Sequence, residues 1–299
     1  MQVVPGRTTA RRTTLLVPVA AGVTVLLWSS AFVVIRAVGE VLSPGPLAFM
    51  RLLVGTAVLV AVAAWYRRPV PRGRALALVV GYGVLWFALY TVLLNWAEQH
   101  LDAGTAALLV NFAPIIVAVF AGLFLGEGFP RARVAGIAIA FAGVALIAAG
   151  GTGGAGNDKL GVALGLVTAV LYAASVLMQK VALRSVDAVT ATWVGCAAGL
   201  LATTPFAPAA FGELADAPPE AIAGVAFLGV GPTAVAFLTW AYALSHSDAG
   251  ALAATTLAVP ALAIGISWLA LGELPTALGL VGGALALLGV AITRRRTGP

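Results

Sequence analysis

The sequence is poor in charge. Asp, Glu, Lys and Arg make up 9% of its 299 residues, whereas 61% of the residues are hydrophobic. A water-soluble domain of this size needs far more charge to cover its surface. The mean hydropathy of +1.04 agrees with this reading. The composition therefore excludes a soluble protein and predicts a chain that crosses a membrane many times.

Chemically reactive groups are also scarce. Cysteine occurs once, at Cys196, which excludes an internal disulfide and suggests no redox role. Both histidines lie at predicted loop ends, and neither a P-loop nor zinc-ligand spacing is present. Intramembrane transferases need carboxylate clusters that hold Mg²⁺, and intramembrane proteases need Ser/His or Asp/Asp pairs. The sequence contains no such set, so we expect no enzyme activity, no cofactor and no metal site.

Long apolar runs make up most of the sequence. About 20 apolar residues cross a hydrocarbon core of roughly 30 Å, and each such run must be helical because lipid offers no partner for free backbone groups. We read 15–35 as part of the first span rather than a signal peptide, since it is long and many similar runs follow. The ten predicted spans cover about 15–36, 46–66, 75–97, 103–125, 133–150, 160–179, 188–207, 221–244, 249–271 and 275–293.

The chain also repeats itself. Landmarks in 102–150 recur in 248–293, each 146 positions later and without a gap. The pairs are Asp102-Ala103-Gly104 with Asp248-Ala249-Gly250, Pro114 with Pro260, Leu125-Gly126-Glu127 with Leu271-Gly272-Glu273, Gly136 with Gly282, and Gly143 with Gly289. A duplicated half with an odd number of spans must lie inverted, as in many transporters. We predict five-helix repeats at 1–150 and 151–299.

Basic residues predict the orientation. The net charge of +6 is scattered over span ends, which argues against a nucleic-acid partner. With both termini in the cytoplasm, the outer segments hold only Arg36 and Lys159. The repeated Leu-Gly-Glu motifs agree, because only the first is closely followed by arginines. The inner segments hold Arg7, Arg11, Arg12, Arg67, Arg68, Arg72, Arg74, Arg131, Arg133, Lys180, Arg184 and Arg294–Arg296.

Further short motifs identify a family. Trp28-Ser29-Ser30-Ala31-Phe32 lies in the first span, Ser43-Pro44 precedes a second span that carries Arg51, and Ala106-Ala107-Leu108 lies in the fourth span. With the paired proline and Leu-Gly-Glu motifs, the chain resembles the EamA family of the drug/metabolite transporter superfamily over roughly 15–293. The resemblance implies a ten-helix bundle around a central cavity that exports metabolites such as amino acids, with a substrate that varies between members.

Ionisable groups inside the spans are few. All acidic residues fall at span ends or in loops, whereas coupling residues of transporters usually lie within the membrane. The small multidrug relatives of the superfamily rely on a carboxylate in the first span, and here that stretch reads Thr24-Val25-Leu26-Leu27-Trp28. A facilitator driven by the substrate gradient is therefore favoured over a proton antiporter, although coupling through an end-of-span acid stays open.

Aromatic and polar residues form stripes along several spans. Positions i, i+4 and i+7 or i+8 share one helix face, and polar stripes are costly against lipid, so these faces should point into the bundle. Their members either line a substrate cavity or only pack helices together. The predicted substrate-binding residues are Trp28, Tyr82, Trp86, Tyr90, Asn111, Tyr172, Ser175, Gln179, Phe237 and Trp240. An aromatic, uncharged cavity suits neutral or zwitterionic molecules.

Three other residues have a possible mechanical or binding role. Pro114 and Pro260 each remove a mid-span hydrogen bond, freeing the carbonyls of Val110 and Thr256, and are candidate gating hinges or static kinks. Arg51 is the basic residue inside an apolar run. It either anchors a substrate carboxylate or reaches toward lipid phosphate and backbone carbonyls.

The sequence thus predicts an exporter or facilitator of small metabolites, amino acids foremost, in the plasma (inner) membrane. Alternating access between the inverted halves would move the substrate. Its expected partners are a small-molecule substrate and membrane lipid, and its oligomeric state is left open. Proton-coupled drug efflux is the alternative, followed by a non-transporting membrane scaffold, for which inverted repeats have no obvious use.

Overall fold

The computed structural model describes residues 7–67, 70–100, 109–150, 159–271 and 277–293, and these residues form helices and connecting turns. The repeat landmarks at 102–104 and 272–273 and the family motif at 106–108 lie outside the described residues. The helices are α1 (Arg7–Val38), α2 (Pro44–Trp65), α3 (Gly73–His100), α4 (Ala113–Phe124), α5 (Arg131–Gly150), α6 (Lys159–Ala182), α7 (Ala188–Ala215), α8 (Pro219–Ser245), α9 (Ala249–Ala253), α10 (Val259–Leu271) and α11 (Ala277–Thr293).

Within the described part of the chain, six helical stretches are long and apolar enough to cross a membrane: Leu15–Ile35, Pro44–Trp65, Gly73–His100, Lys159–Ala182, Ala188–Ala215 and Pro219–Ser245. Shorter apolar helices accompany them at Ala113–Phe124, Ala249–Ala263 and Leu280–Thr293. Large apolar side chains such as Phe124 and Leu269 stay exposed, as expected of a surface that faces lipid. The all-helical, multi-span class is confirmed, whereas ten spans and a cytoplasmic position of both termini remain predictions.

Two of the long helices contain a wider turn. Val84–Tyr90 of α3 and Gly229–Val235 of α8 are π-helical, and under the 146-residue shift they coincide to within one residue. The first packs against α7 and the second against α2. Such π-helical insertions are rare and frequently lie at functional sites, so both helices are candidates to contribute to one.

Helices α5 and α11 pack along their lengths through glycines. A Cβ atom on Gly136 would lie 2.6 Å from the Gly289 carbonyl oxygen, and one on Gly143 would lie 2.5 Å from the Gly282 carbonyl oxygen. Only glycine permits backbones to approach so closely. The 146-residue shift exchanges these two contacts, which is the pattern that two related halves would make. The division at 150/151 itself stays a prediction.

Candidate functional site

A cavity lies where α1, α2, α3, α6 and α8 converge with the start of α4 and α10. It holds about 730 Å³ of empty space, including open solvent at its mouth. Six of the ten predicted site residues line it: Trp28, Trp86, Tyr90, Asn111, Tyr172 and Phe237. Ala31, Phe32, Ile35, Leu94, Val110 and Val259 supply further apolar wall, and Arg51, Thr91 and Thr256 supply polar groups.

The floor of the cavity is a cluster of aromatic rings. Trp86 lies 4.9 Å from Phe237 and 5.3 Å from Tyr172 between ring centroids, and Trp28 lies 5.4 Å from Phe237. These separations fall within the range of favourable edge-to-face and tilted ring pairs. Trp28 is fixed further, because its indole N–H donates to the Pro232 carbonyl at 3.2 Å. The floor is therefore apolar, rigid and shared by helices from both predicted repeats.

The π-helical turn of α3 explains which aromatic side chains reach the cavity. Trp86 and Tyr90 lie within Val84–Tyr90 and line the cavity, whereas Tyr82 precedes that segment and does not. The Tyr82 hydroxyl instead donates to the Ala191 carbonyl of α7. A π-helical turn advances by more residues than an α-turn, so the i, i+4, i+8 stripe does not keep one direction through it.

The other predicted residues lie inside the bundle but outside the cavity lining. Trp240 donates from its indole nitrogen to Gln179 Oε1 at 3.1 Å, and its ring centroid lies 5.1 Å from that of Trp28. Trp240 and Gln179 thus form a layer beneath the aromatic floor. Ser175 donates to the Leu171 carbonyl one turn earlier in α6, at 2.6 Å. All three side chains are buried, and a role for any of the ten residues in substrate binding stays a prediction.

The two gating candidates differ in their surroundings, since Pro114 lies where a helix starts after a turn, whereas Pro260 lies where a helical stretch changes from 3₁₀ to α. Pro114 is the second residue of α4, behind a turn at 111–112, and Pro260 is the second residue of α10, behind a 3₁₀ segment at Ala254–Ala258. The expected freeing of the Thr256 carbonyl is wrong, because that oxygen accepts the Val259 N–H. Proline is well tolerated in a first turn, where its missing N–H costs nothing.

Arg51 has the clearest electrostatic role in the cavity. It is 8% exposed, lines the cavity, and donates from Nε to Thr233 Oγ1 at 3.1 Å. Among the residues that the structure describes, this is its one hydrogen bond, so its terminal nitrogens stay available as donors. The side chain therefore points into the bundle rather than toward lipid phosphate. A lone basic residue in an apolar run was the sequence signal for this position.

Polar groups beside the 3₁₀ segment complete the wall. Tyr172 donates from its hydroxyl to Thr256 Oγ1 at 3.3 Å. Ser29 of α1 donates to the Val259 carbonyl at 3.3 Å, next to Pro260. Thr256 was absent from the predicted site because the sequence pattern assigned only its carbonyl a role. Its side chain enters the wall since the 3₁₀ segment winds more tightly than an α-helix and turns it toward the cavity.

A charged cluster lies beyond the far end of α4, about 18 Å along that 12-residue helix. Gly126, with a φ of +75°, ends the helix and is followed by Glu127. Glu127 accepts the N–H groups of Ala249 at 2.6 Å and Gly250 at 3.0 Å. A first-half carboxylate therefore caps α9, a second-half helix whose own N-cap residue makes no side-chain cap.

Arg133 joins this cluster to the loop before α9. Its Nη2 lies 2.7 Å from Asp248 Oδ2, and its Nη1 lies 3.4 Å from Glu127 Oε2. Nearby, Lys180 donates from Nζ to the Leu244 carbonyl at 2.7 Å and the Ser247 carbonyl at 2.5 Å. We call Glu127, Arg133, Asp248 and Lys180 the polar lock. It ties α4, α5 and α6 to the α8–α9 connection at this end of the bundle.

Comparison with known proteins gives one family. Residues 17–149 and 159–295 each match the EamA-like transporter family. A probable terminal-alkyne amino-acid exporter of Streptantibioticus cattleyicolor is 34% identical over 241 residues, which cover 81% of this chain and 80% of that protein. The uncharacterized transporter YdfC of Bacillus subtilis is 32% identical over 254 residues, or 85% and 83% of the two chains.

The fold has a solved counterpart. One crystal structure superposes with a TM-score of 0.76 at 21% sequence identity, covering 93% of this chain and 97% of the other. At that identity the likeness shows the fold alone.

Proposed function

Because the chain belongs to the EamA-like transporter family, and is thus a multi-pass membrane transporter, we propose that it exports small zwitterionic amino acids with apolar side chains. The observation that carries this proposal is the cavity, in which an aromatic floor faces one guanidinium whose terminal nitrogens have no partner among the described residues. An apolar side chain suits the floor, and a carboxylate suits Arg51.

Arg51 fits the carboxylate of such a substrate for physical reasons. A guanidinium presents donors in a planar fork that matches a carboxylate, and burial makes that interaction stronger than in water. The bond from Nε to Thr233 holds the fork in place before a ligand arrives. The amino-acid class also draws support from the relative described as an exporter of terminal-alkyne amino acids.

The proposed mechanism is alternating access between inverted five-helix halves at 1–150 and 151–299. With the predicted cytoplasmic termini and a position in the plasma membrane, the cavity lies toward the outer side and the polar lock lies toward the cytoplasm. The described arrangement then corresponds to an outward-facing state whose inner end is closed by Glu127, Arg133 and Asp248. Pro114 and Pro260 remain proposed hinges, since each begins a rigid helix behind a turn or a 3₁₀ segment.

Uptake into proteoliposomes tests this function directly. The probes are radiolabelled L-norvaline, L-propargylglycine and L-phenylalanine, with and without an imposed pH gradient, and protein-free vesicles are the control. We expect saturable uptake of at least one probe that does not require the gradient. Uptake that collapses without the gradient would replace the facilitator with a proton-coupled carrier. Absence of amino-acid uptake, together with movement of cationic dyes, would favour drug efflux instead.

A further inference from the structure

Two buried oxygen atoms on α3 lack a hydrogen-bond donor. They are Asn95 Oδ1 and Glu98 Oε1, both within the described residues. Asn95 is 4% exposed, and its amide nitrogen donates to the Pro44 carbonyl at 3.1 Å. That bond fixes which end of the amide carries the acceptor. Buried polar atoms nearly always have a partner, so acceptors on one helix that are unpaired among the described residues are candidates for binding a donor from a ligand.

Both residues lie on the helix face of α3 that carries two residues of the cavity lining. Thr91 and Leu94 line the cavity, and Asn95 and Glu98 follow them by four residues each. Residues four apart lie one above the other on a helix. Asn95 and Glu98 therefore lie one turn beyond these lining residues, toward the end of α3.

Arg51 and Glu98 are close enough to interact electrostatically. Both residues are described, and yet no ion pair joins them in that part of the structure. Arg51 lines the cavity and Glu98 lies one helical turn beyond the lining residue Leu94. A guanidinium and a carboxylate placed in this way, without a bond between them, leave room for a ligand that carries one charge for each. An α-amino acid is such a ligand, since its carboxylate and its ammonium are separated by a single carbon.

We propose that Glu98 and Asn95 form an ammonium subsite, which accepts N–H donors of the substrate while Arg51 holds its carboxylate. This inference rests on the proposed amino-acid function and deepens it, because it makes the site specific for the zwitterion. The carboxylate of Glu98 supplies the charge, and the fixed Asn95 oxygen supplies a second acceptor. A molecule that lacks either charged group leaves the polar groups of one subsite buried and unpaired. Such a molecule should therefore bind much more weakly than the zwitterion.

Three related ligands with the same apolar chain test the subsite. L-Norvaline carries both charges, pentanoate lacks the ammonium and butylamine lacks the carboxylate. Binding is measured by calorimetry on the purified full chain in nanodiscs, for wild type, Glu98→Gln and Glu98→Asp. Glu40→Gln, which changes an exposed carboxylate, is the matched control. We expect Glu98→Gln to weaken norvaline by about 30-fold or more, to leave pentanoate within about twofold, and Glu98→Asp to retain most norvaline affinity.

The measurements distinguish a failure of the proposed function from a failure of the ammonium subsite. If wild type binds no amino acid, the proposed function fails and the subsite falls with it. If wild type binds norvaline and Glu98→Gln weakens norvaline and pentanoate equally, Glu98 only shapes the cavity and the ammonium subsite is wrong. The subsite is likewise wrong if Glu98→Gln leaves norvaline binding intact but removes a dependence of uptake on the pH gradient. If Glu98→Gln folds poorly, Glu98→Asp provides the test through the ratio of its affinities for norvaline and pentanoate. If both affinities fall and their ratio is the same as in wild type, the proposal is wrong.

Discussion

Glu127→Gln should open the end of the bundle that the polar lock closes. The Glu127 side chain is 6% exposed, accepts two backbone N–H groups of α9, and faces Arg133. The amide keeps one acceptor oxygen but turns the other position into a donor. At the Oε1 position that donor faces the Ala249 N–H, and at the Oε2 position it faces the Gly250 N–H together with the Arg133 guanidinium. In either case one bond to the charged carboxylate is replaced by a clash of donors.

The magnitude follows from these contacts. A buried hydrogen bond to a charged group contributes about 1.5–3 kcal/mol, whereas the 3.4 Å contact with Arg133 is long and adds little. We therefore expect a loss of about 2–3 kcal/mol in the closed state relative to the open one. Because about 1.4 kcal/mol corresponds to a tenfold change in an equilibrium constant, the open population should rise by roughly 30- to 150-fold.

Thiol labelling measures that population. Cys196 is the single cysteine and is buried, so Cys196→Ser provides a background in which Leu252→Cys is the one reactive thiol. Leu252 lies on α9 and is 3% exposed. In nanodiscs, where both faces are accessible, its labelling rate should rise with the open population, whereas Glu220→Gln, an exposed carboxylate, should leave it unchanged. A rate within twofold of the parent, with unfolding temperature preserved, would refute the lock.

Four further variants test the rest of the architecture. Arg51→Gln should weaken the binding of L-norvaline by about 30-fold or more in calorimetry but leave the binding of butylamine unchanged. Equal losses for the two ligands would show that Arg51 does not bind the substrate carboxylate. Trp86→Ala should lower the unfolding temperature and weaken norvaline more than glycine, and identical affinity losses would count against an apolar floor. Gly136→Leu should lower the unfolding temperature far more than Gly22→Leu, where a Cβ atom has open space; similar melting would contradict the glycine contact. Ser175→Ala should leave uptake within about twofold, and a larger loss would place its hydroxyl on the substrate.

Sequence periodicity predicted which helix faces point inward but not how deep each residue lies. Tyr172, Ser175 and Gln179 share a buried face of α6, yet only Tyr172 lines the cavity. Seven residues of α-helix cover about 10 Å, enough to carry Gln179 below the aromatic floor. Depth depends on how neighbouring helices are staggered, and that information is held in contacts between helices rather than in the pattern of any one helix.

Departures from the α-helix account for the other differences. The Tyr82 side chain does not line the cavity because a π-helical segment follows it. The Thr256 side chain does line the cavity because it lies in a 3₁₀ segment. Neither segment has a sequence signature as strong as a helix cap or a proline. Arg51 shows the opposite case, since a charge within an apolar run is visible in sequence. The bond to Thr233 shows that its side chain points into the bundle, whereas its role as an anchor for a substrate carboxylate stays a proposal.

The cavity and the polar lock lie at opposite ends of one rigid element. Val110 and Asn111 line the cavity just before α4, and Glu127 follows its other end. We expect a 12-residue helix that has a proline in its first turn and is followed by a left-handed glycine to move as a unit, so that a shift of its first turn would displace Glu127 from the N–H groups of α9. The same helix packs on α9, whose 3₁₀ continuation carries Thr256 back to the cavity wall. We therefore expect ligand contacts in the cavity to be coupled to the polar lock through α4 and α9, two short helices whose sequences contain no charged residue.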